Sequence, residues 1–174
     1  MKYYSITPRS REEIRELAKS FRTKFNLNDT LYIPVVDLLD KCALMYPGFN
    51  YEILPDSNFK VNVHATTSME TGHISIRESV YERACQGAGR DRMTIAHEIG
   101  HYVIIFLKKS KLTATNTKPK IYRDPEWQAK CFAGELMVNY DLSKDLTIEE
   151  IENNCGVSHD AAMFQFDCFH KEVM

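Results

Sequence analysis

No stretch of this 174-residue chain approaches the roughly 18 consecutive apolar residues of a membrane-spanning helix, and Met1-Lys2-Tyr3-Tyr4-Ser5 has no apolar signal-peptide core. The expectation is a cytoplasmic protein with no membrane partner. Net charge is scarce too: −2 overall, with a pI near 6.3, leaves no global electrostatic footprint for nucleic acid. The five cysteines, Cys42, Cys85, Cys131, Cys155 and Cys168, are odd in number, scattered, and never form C-x-x-C. That pattern excludes a disulfide framework and reads as reduced thiols. Repeats, low-complexity runs and interdomain linkers are absent as well. What remains is a 44% hydrophobic chain, able to bury about 70% of its unfolded surface around one core. We expect a single domain over 1–174, with 141–174 as a C-terminal helical extension.

Against that plain background one motif stands out, His97-Glu98-Ile99-Gly100-His101. At about 100° per residue, positions four apart lie roughly 40° from each other on a helix, so both imidazoles reach one metal ion. Glu98 sits off that axis, where its carboxylate can take a proton from a water activated at the site. The surrounding helix is apolar almost all round, through Met93, Ile95, Ala96, Ile99, Tyr102 and the run Val103 to Leu107, with Asp91 or Thr94 available as N-cap. A buried helix must give its histidines partners, and Zn²⁺ satisfies both.

Zinc requires a further protein ligand. A third histidine six residues after His101 would mark a metzincin, but Leu107 stands there. The remaining common solution is a glutamate from a later helix, and the segment Asp124 to Met137 offers Glu126 and Glu135. Asp124 as N-cap with Pro125 behind it starts that helix, and Ala129, Phe132, Ala133, Leu136 and Met137 turn inward. Nine residues rotate Glu135 about half a turn from Glu126, so only one can face the metal. Glu126, near the inward stripe, is favoured; its simpler reading is an acid drawn to the positive helix end.

These two segments, Arg92 to His101 and Glu126-x-x-Ala129-x-x-Phe132-Ala133-x-Glu135-Leu136-Met137, together with Gly72-His73-Ile74-Ser75-Ile76, resemble the ImmA/IrrE family of metallo-endopeptidases over roughly residues 60–140. The resemblance implies zinc on His97, His101 and Glu126, and Glu98 as the base. It implies, as substrate, a helix-turn-helix repressor whose cleavage releases genes of a mobile element or a stress response. The chain departs from the family pattern at Val138-Asn139, where a proline often follows the Leu-Met pair.

Elsewhere the periodicity predicts an amphipathic helix over Arg11 to Phe25 and a second from Pro34, ended by Pro47-Gly48. Strands are expected at Asn50 to Leu54, Lys60 to Thr67 and His73 to Arg77. The last of these is expected to border the cleft, with Ile74, Ser75 and Ile76 as the edge on which a peptide adds. His73, and less so His64, could then donate to a developing oxyanion; Tyr102, Tyr122 and Tyr140 are further donors. Lys108 to Arg123 holds six basic residues and no acid, and is expected to be a loop: a flexible connector, or a flap attracting an acidic partner.

From Thr147 a capping box with Glu150, a stop at Gly156 and a cap at Ser158 predict a helix-turn-helix-like pair. Asp141 to Met174 carries eight acids against two lysines, which repels phosphate, so direct nucleic-acid binding is not expected. Phe164, Phe166 and Phe169 supply apolar anchors for the catalytic core or a partner protein. The combined expectation is an α+β, zincin-like fold with helices around a small, mostly antiparallel sheet, acting as a zinc endopeptidase. The alternatives are a non-catalytic zinc module that holds a regulator, and a DNA-binding regulator, which the acidic tail disfavours.

Overall fold

A computed structural model of the chain describes residues 2–171. The elements run β1 (Tyr3–Ser5), α1 (Arg11–Lys24), α2 (Val35–Met45), β2 (Tyr51–Leu54), β3 (Ala65–Thr67), β4 (Ile74–Arg77), α3 (Glu78–Cys85), α4 (Gly89–Tyr102), β5 (Thr113–Thr115), α5 (Pro125–Met137), α6 (Tyr140–Ser143), α7 (Ile148–Cys155) and α8 (His159–Lys171). The fold is α+β. Of three strand pairings, β1 with β5 and β3 with β4 are antiparallel, while β2 and β4 run parallel. The three-stranded sheet has the order β2-β4-β3, and Ile74 and Ile76 of β4 point into the core while Ser75 and Arg77 face outward.

Local chemistry explains the helix starts. Ser10 and Glu13 form a reciprocal capping box on α1, and Ile14, Ala18 and Phe21 bury its inner face. Asp124 caps α5 by accepting from the Glu126 amide, and Pro125 supplies the fixed φ of a first helical position. Thr147 and Glu150 cap α7, Gly156 ends it in the left-handed region at φ 62°, and Ser158 Oγ accepts from the Ala161 amide at the head of α8.

α4 lies at the centre, packed on α5, α3, α2 and β3. It begins earlier than expected, at Gly89, and neither proposed cap residue caps it. Asp91 sits in its first turn, bound bidentately by Arg83 at 2.9 and 3.0 Å, and the Thr94 hydroxyl donates back to the Arg90 carbonyl. Its end continues as a π-helical turn over Val103–Leu107. The closest helix pairing is α4 on α5: a Cβ on Gly100 would meet the Ala129 carbonyl oxygen at 2.9 Å, so only glycine admits this approach.

Two fully buried arginines stitch the helix ends together. Arg22 donates to the carbonyls of Leu27, Thr30 and Leu136, and Arg92 to those of Ile33, Cys155 and Gly156, with Tyr32 stacked 3.7 Å from the Arg92 guanidinium carbon. Of these carbonyls, Leu136 lies in the last turn of α5 and Cys155 and Gly156 at the end of α7, the negative ends of the helix dipoles, while Leu27, Thr30 and Ile33 belong to the loop between α1 and α2. Arg92 ties the α7–α8 pair to the central helix, and Phe169 of α8 is buried against Tyr140, so the tail packs on the body; Phe164 and Met163 face solvent. None of the five cysteines is in a disulfide, and burial pushes the Cys42 and Cys131 thiols up to about 12.

Two expectations are corrected. Only Ala65–Thr67 of the run from Lys60 joins the ladder, because Asn62 turns through φ 65° and the Val63 amide closes onto the Lys60 carbonyl. The basic segment Lys108 to Arg123 is not a free loop. Its middle is β5, paired with β1, and its end is a 3-10 turn whose Tyr122 carbonyl accepts from the Arg9 amide and the Gln128 side chain.

Candidate metal centre

α4 presents His97 and His101 on one face, and the first turn of α5 brings Glu126 against them. The two Nε2 atoms lie 3.1 Å apart, Glu126 Oε2 is 3.2 Å from His97 Nε2, and Glu126 Oε1 is 3.2 Å from His101 Nε2. The imidazole planes stand at 88° to each other. Among the described residues this is a group of three donors able to hold a metal ion, their ligand atoms all within 4.8 Å of one another. Tetrahedral ligands at about 2.0–2.1 Å from an ion stand about 3.3 Å from each other, close to the separations here. Two imidazoles and one carboxylate make an N,N,O set that suits zinc and other borderline divalent ions. The residues therefore fit a catalytic-type metal with one open position.

The electrostatics agree. Hydrogen bonding to His101 and then His97 holds the Glu126 carboxyl well below the usual carboxylate range, so it stays ionised as a ligand must be. His101 is buried, and its Nδ1 is left without a protein partner. Glu98, one residue along α4, is also buried; its Oε2 accepts a 2.6 Å hydrogen bond from the Thr67 hydroxyl of β3.

A cleft of about 570 Å³ opens over these groups, lined by β3, the Asn62 to His64 turn and Tyr4 of β1. A second cavity of about 340 Å³ continues past Glu126, between Lys118, Ile121, Trp127 and Lys130. Its cations come from the basic segment and α5.

The wall overturns part of the sequence reading. His73, Ile74 and Ser75 do not reach the cleft. β4 is the middle strand, hydrogen-bonded on both sides, so Ile74 and Ile76 serve the core and cannot accept a peptide. Ser75 donates to Glu52 at 2.9 Å, and His73 is held between Asn50 and Glu52 on the β2 side. Of the two outer strands, β2 and β3, it is β3 whose edge lines the cleft, and His64, ranked below His73, is the strand-region histidine that lines it too. Tyr102 is buried against Phe49 and Phe106, and Tyr140 stacks under Arg15, so neither reaches the cleft. Tyr122, about two-fifths exposed, lines neither this cleft nor the cavity beyond Glu126. Sequence reasoning missed Tyr4 and Thr67. Nothing local marks either residue, since both owe their place to strand pairings formed over long chain distances.

The model of peptidase family M78, the IrrE N-terminal-like domain, matches residues 54–162, more than half the chain. The chain belongs to that family. The matched span takes in β3, β4, α4, α5 and α7, and leaves β1, α1 and α2 outside it. Membership in peptidase family M78 supports a metallopeptidase-type function acting on protein, with a metal implied, and the His97, His101 and Glu126 cluster is where the M78 chain could hold one. No curated protein matches the chain. No helix of the described residues is long and apolar enough to cross a membrane.

Proposed function

We propose that this protein is a zinc-dependent endopeptidase that cleaves a helix-turn-helix transcriptional repressor. The observation that carries the chemistry is the convergence of His97, His101 and Glu126 beside Glu98 at the floor of a cleft with an unpaired strand edge. Zinc held by the three donors would supply Lewis acidity, polarising a carbonyl and lowering the pKa of water. The residues of the chain do the rest. Glu98 takes the proton of the attacking water and returns it to the leaving amine. The free edge of β3 receives the substrate in extended form, backbone to backbone, laying the scissile bond over the donor set. His64 and Tyr4 in the cleft are the candidates to donate to the oxyanion.

The repressor as substrate rests on the family resemblance, and the cations Lys118 and Lys130 that line the cavity beyond Glu126 are consistent with a partner that bears acidic residues there. The test pairs wild type with Glu98→Gln, measuring metal content by mass spectrometry and cleavage of helix-turn-helix repressors from the source genome. One equivalent of zinc in both, with cleavage by wild type alone, is the expected result. Zinc in both with repressor bound and uncut would replace the peptidase with a binding module, and cleavage by Glu98→Gln would remove the mechanism.

A further inference from the structure

We infer that Thr67 is a positioning residue that joins the peptide-binding edge to the general base and selects which carboxylate oxygen works. The inference rests on the peptidase reading. Thr67 has two faces. Its backbone pairs with Ile74 on the β4 side, and its other side is the unpaired edge of the sheet. Its side chain turns inward, is buried, and donates to Glu98 Oε2 at 2.6 Å, with the Glu98 backbone carbonyl 3.4 Å from the same hydroxyl. A hydroxyl has one proton to give, and the shorter, charge-assisted contact to the carboxylate takes it.

Oε2 is therefore occupied from the sheet side. Oε1 has no protein partner among the described residues and is not sealed from solvent, so it is the oxygen free to accept a proton from water in the cleft. A protonated Oε1 leaves the Thr67 bond intact, because Oε2 remains an acceptor; the bond can hold throughout a turnover. The same residue would hydrogen-bond an added peptide through its backbone. Strand and base are thus registered to each other through one side chain, and a carboxylate freed from it would rotate away from the productive position.

The test compares Thr67→Val, nearly the same in shape without the hydroxyl, and Thr67→Ser, which restores it, on internally quenched peptides and in zinc content. Thr67→Val should lower kcat by tenfold to a hundredfold, roughly the cost of losing an outer hydrogen-bond partner, with KM and zinc within about twofold of wild type. Thr67→Ser should recover most of kcat. A kcat unchanged in Thr67→Val, or a serine variant no better than valine, overturns the inference. A second readout needs no activity: a denaturation cycle of Thr67→Val, Glu98→Ala and the double variant should show roughly tenfold coupling in the unfolding constant. Additive effects overturn the inference even where wild type cleaves well. Wild type that binds zinc and cleaves nothing removes the peptidase reading, and the role assigned to Thr67 with it, while the cycle still reports separately on the bond.

Discussion

The two ends of α5 hold the same side chain in opposite circumstances. Glu126, in the first turn, is 64% exposed and is approached only by the two imidazoles; Glu135, in the last turn, has a side chain with no exposure and lies 2.9 Å from Arg15 and 3.4 Å from Arg11. Helix electrostatics sharpen the contrast. A carboxylate is favoured near a helix N-terminus and disfavoured near a C-terminus, so Glu135 needs its arginines whereas Glu126 does not. Arg15 is held in turn by the Tyr140 ring, 4.3 Å from its guanidinium carbon. A carboxylate so neutralised has no capacity left for an ion. One helix thus carries a candidate ligand and a structural anchor, and half a turn of rotation separates them.

The largest effect should come from breaking the first end. Glu126→Ala removes one of three donors, and we expect loss of bound zinc and of all peptide cleavage. The metal-free variant should still fold, because the exposed Glu126 side chain makes no core contact and its removal costs only its hydrogen bonds to the two imidazoles. Mass spectrometry and urea denaturation check both halves, and a folded variant that keeps one equivalent of zinc would exclude Glu126 as a ligand. The second end should fail in the opposite sense. Glu135→Ala breaks the buried ion pair with Arg15 and removes the partner of Arg11, and breaking a buried pair costs up to about 3–5 kcal/mol. Below its melting transition the variant should still bind zinc. Wild-type stability, or zinc loss while folded, would break the comparison.

Next in size is the spacing between α4 and α5. Gly100→Ala drives a Cβ toward a backbone oxygen that cannot move without its helix, so we expect about 1–3 kcal/mol of destabilisation and weaker zinc binding as Glu126 withdraws from the histidines. Gly134, further along α5, is the control. Its added Cβ would meet the Gln165 side-chain amide at 2.7 Å, an end group that can turn aside. Helix propensity favours alanine there by about 1 kcal/mol, so Gly134→Ala should cost less than Gly100→Ala. Zinc titration and denaturation of the two variants give the order, and equal losses would show that helix proximity is not the constraint at Gly100.

The contrast within α5 was legible in the sequence because it needs only helical geometry. Asp124-Pro125 sets the start of the helix, and nine residues at about 100° each place the two acids apart. The histidine pair was legible for the same reason, as were the local caps at Ser158 and at Thr147 with Glu150. Strand order was not. Whether β3 or β4 is the edge depends on β2 pairing in parallel across an intervening strand in the sequence, and no side chain in Ile74 to Arg77 encodes which neighbour arrives. That error moved the cleft wall from Ala65–Thr67 to β4 and drew His73 with it. Arg22 and Arg92 escaped notice because they mark helix ends by reaching carbonyls far along the chain.

The smallest effect concerns a third carboxylate, which separates helix-end position from imidazole contact. Glu150 occupies the first turn of α7 as Glu126 occupies that of α5, but it meets Thr147 in place of imidazoles, its Oε2 accepting from the Thr147 amide at 2.8 Å. The Thr147 backbone, then its side chain, hold the Glu150 carboxyl below the ordinary range. A folded-state pKa below the unfolded value of about 4.3 gives stability that is present above that pH and lost as pH falls through the depressed value. Glu150→Ala should therefore lower the unfolding midpoint slightly at neutral pH, less than any variant above, and the gap to wild type should close on acidification below about pH 4. Zinc content and cleavage should not change. A pH-independent gap would mean that the capping hydrogen bond contributes through packing instead of charge, and a change in zinc content would mean that α7 is coupled to the metal helix, with Arg92 as the link between them.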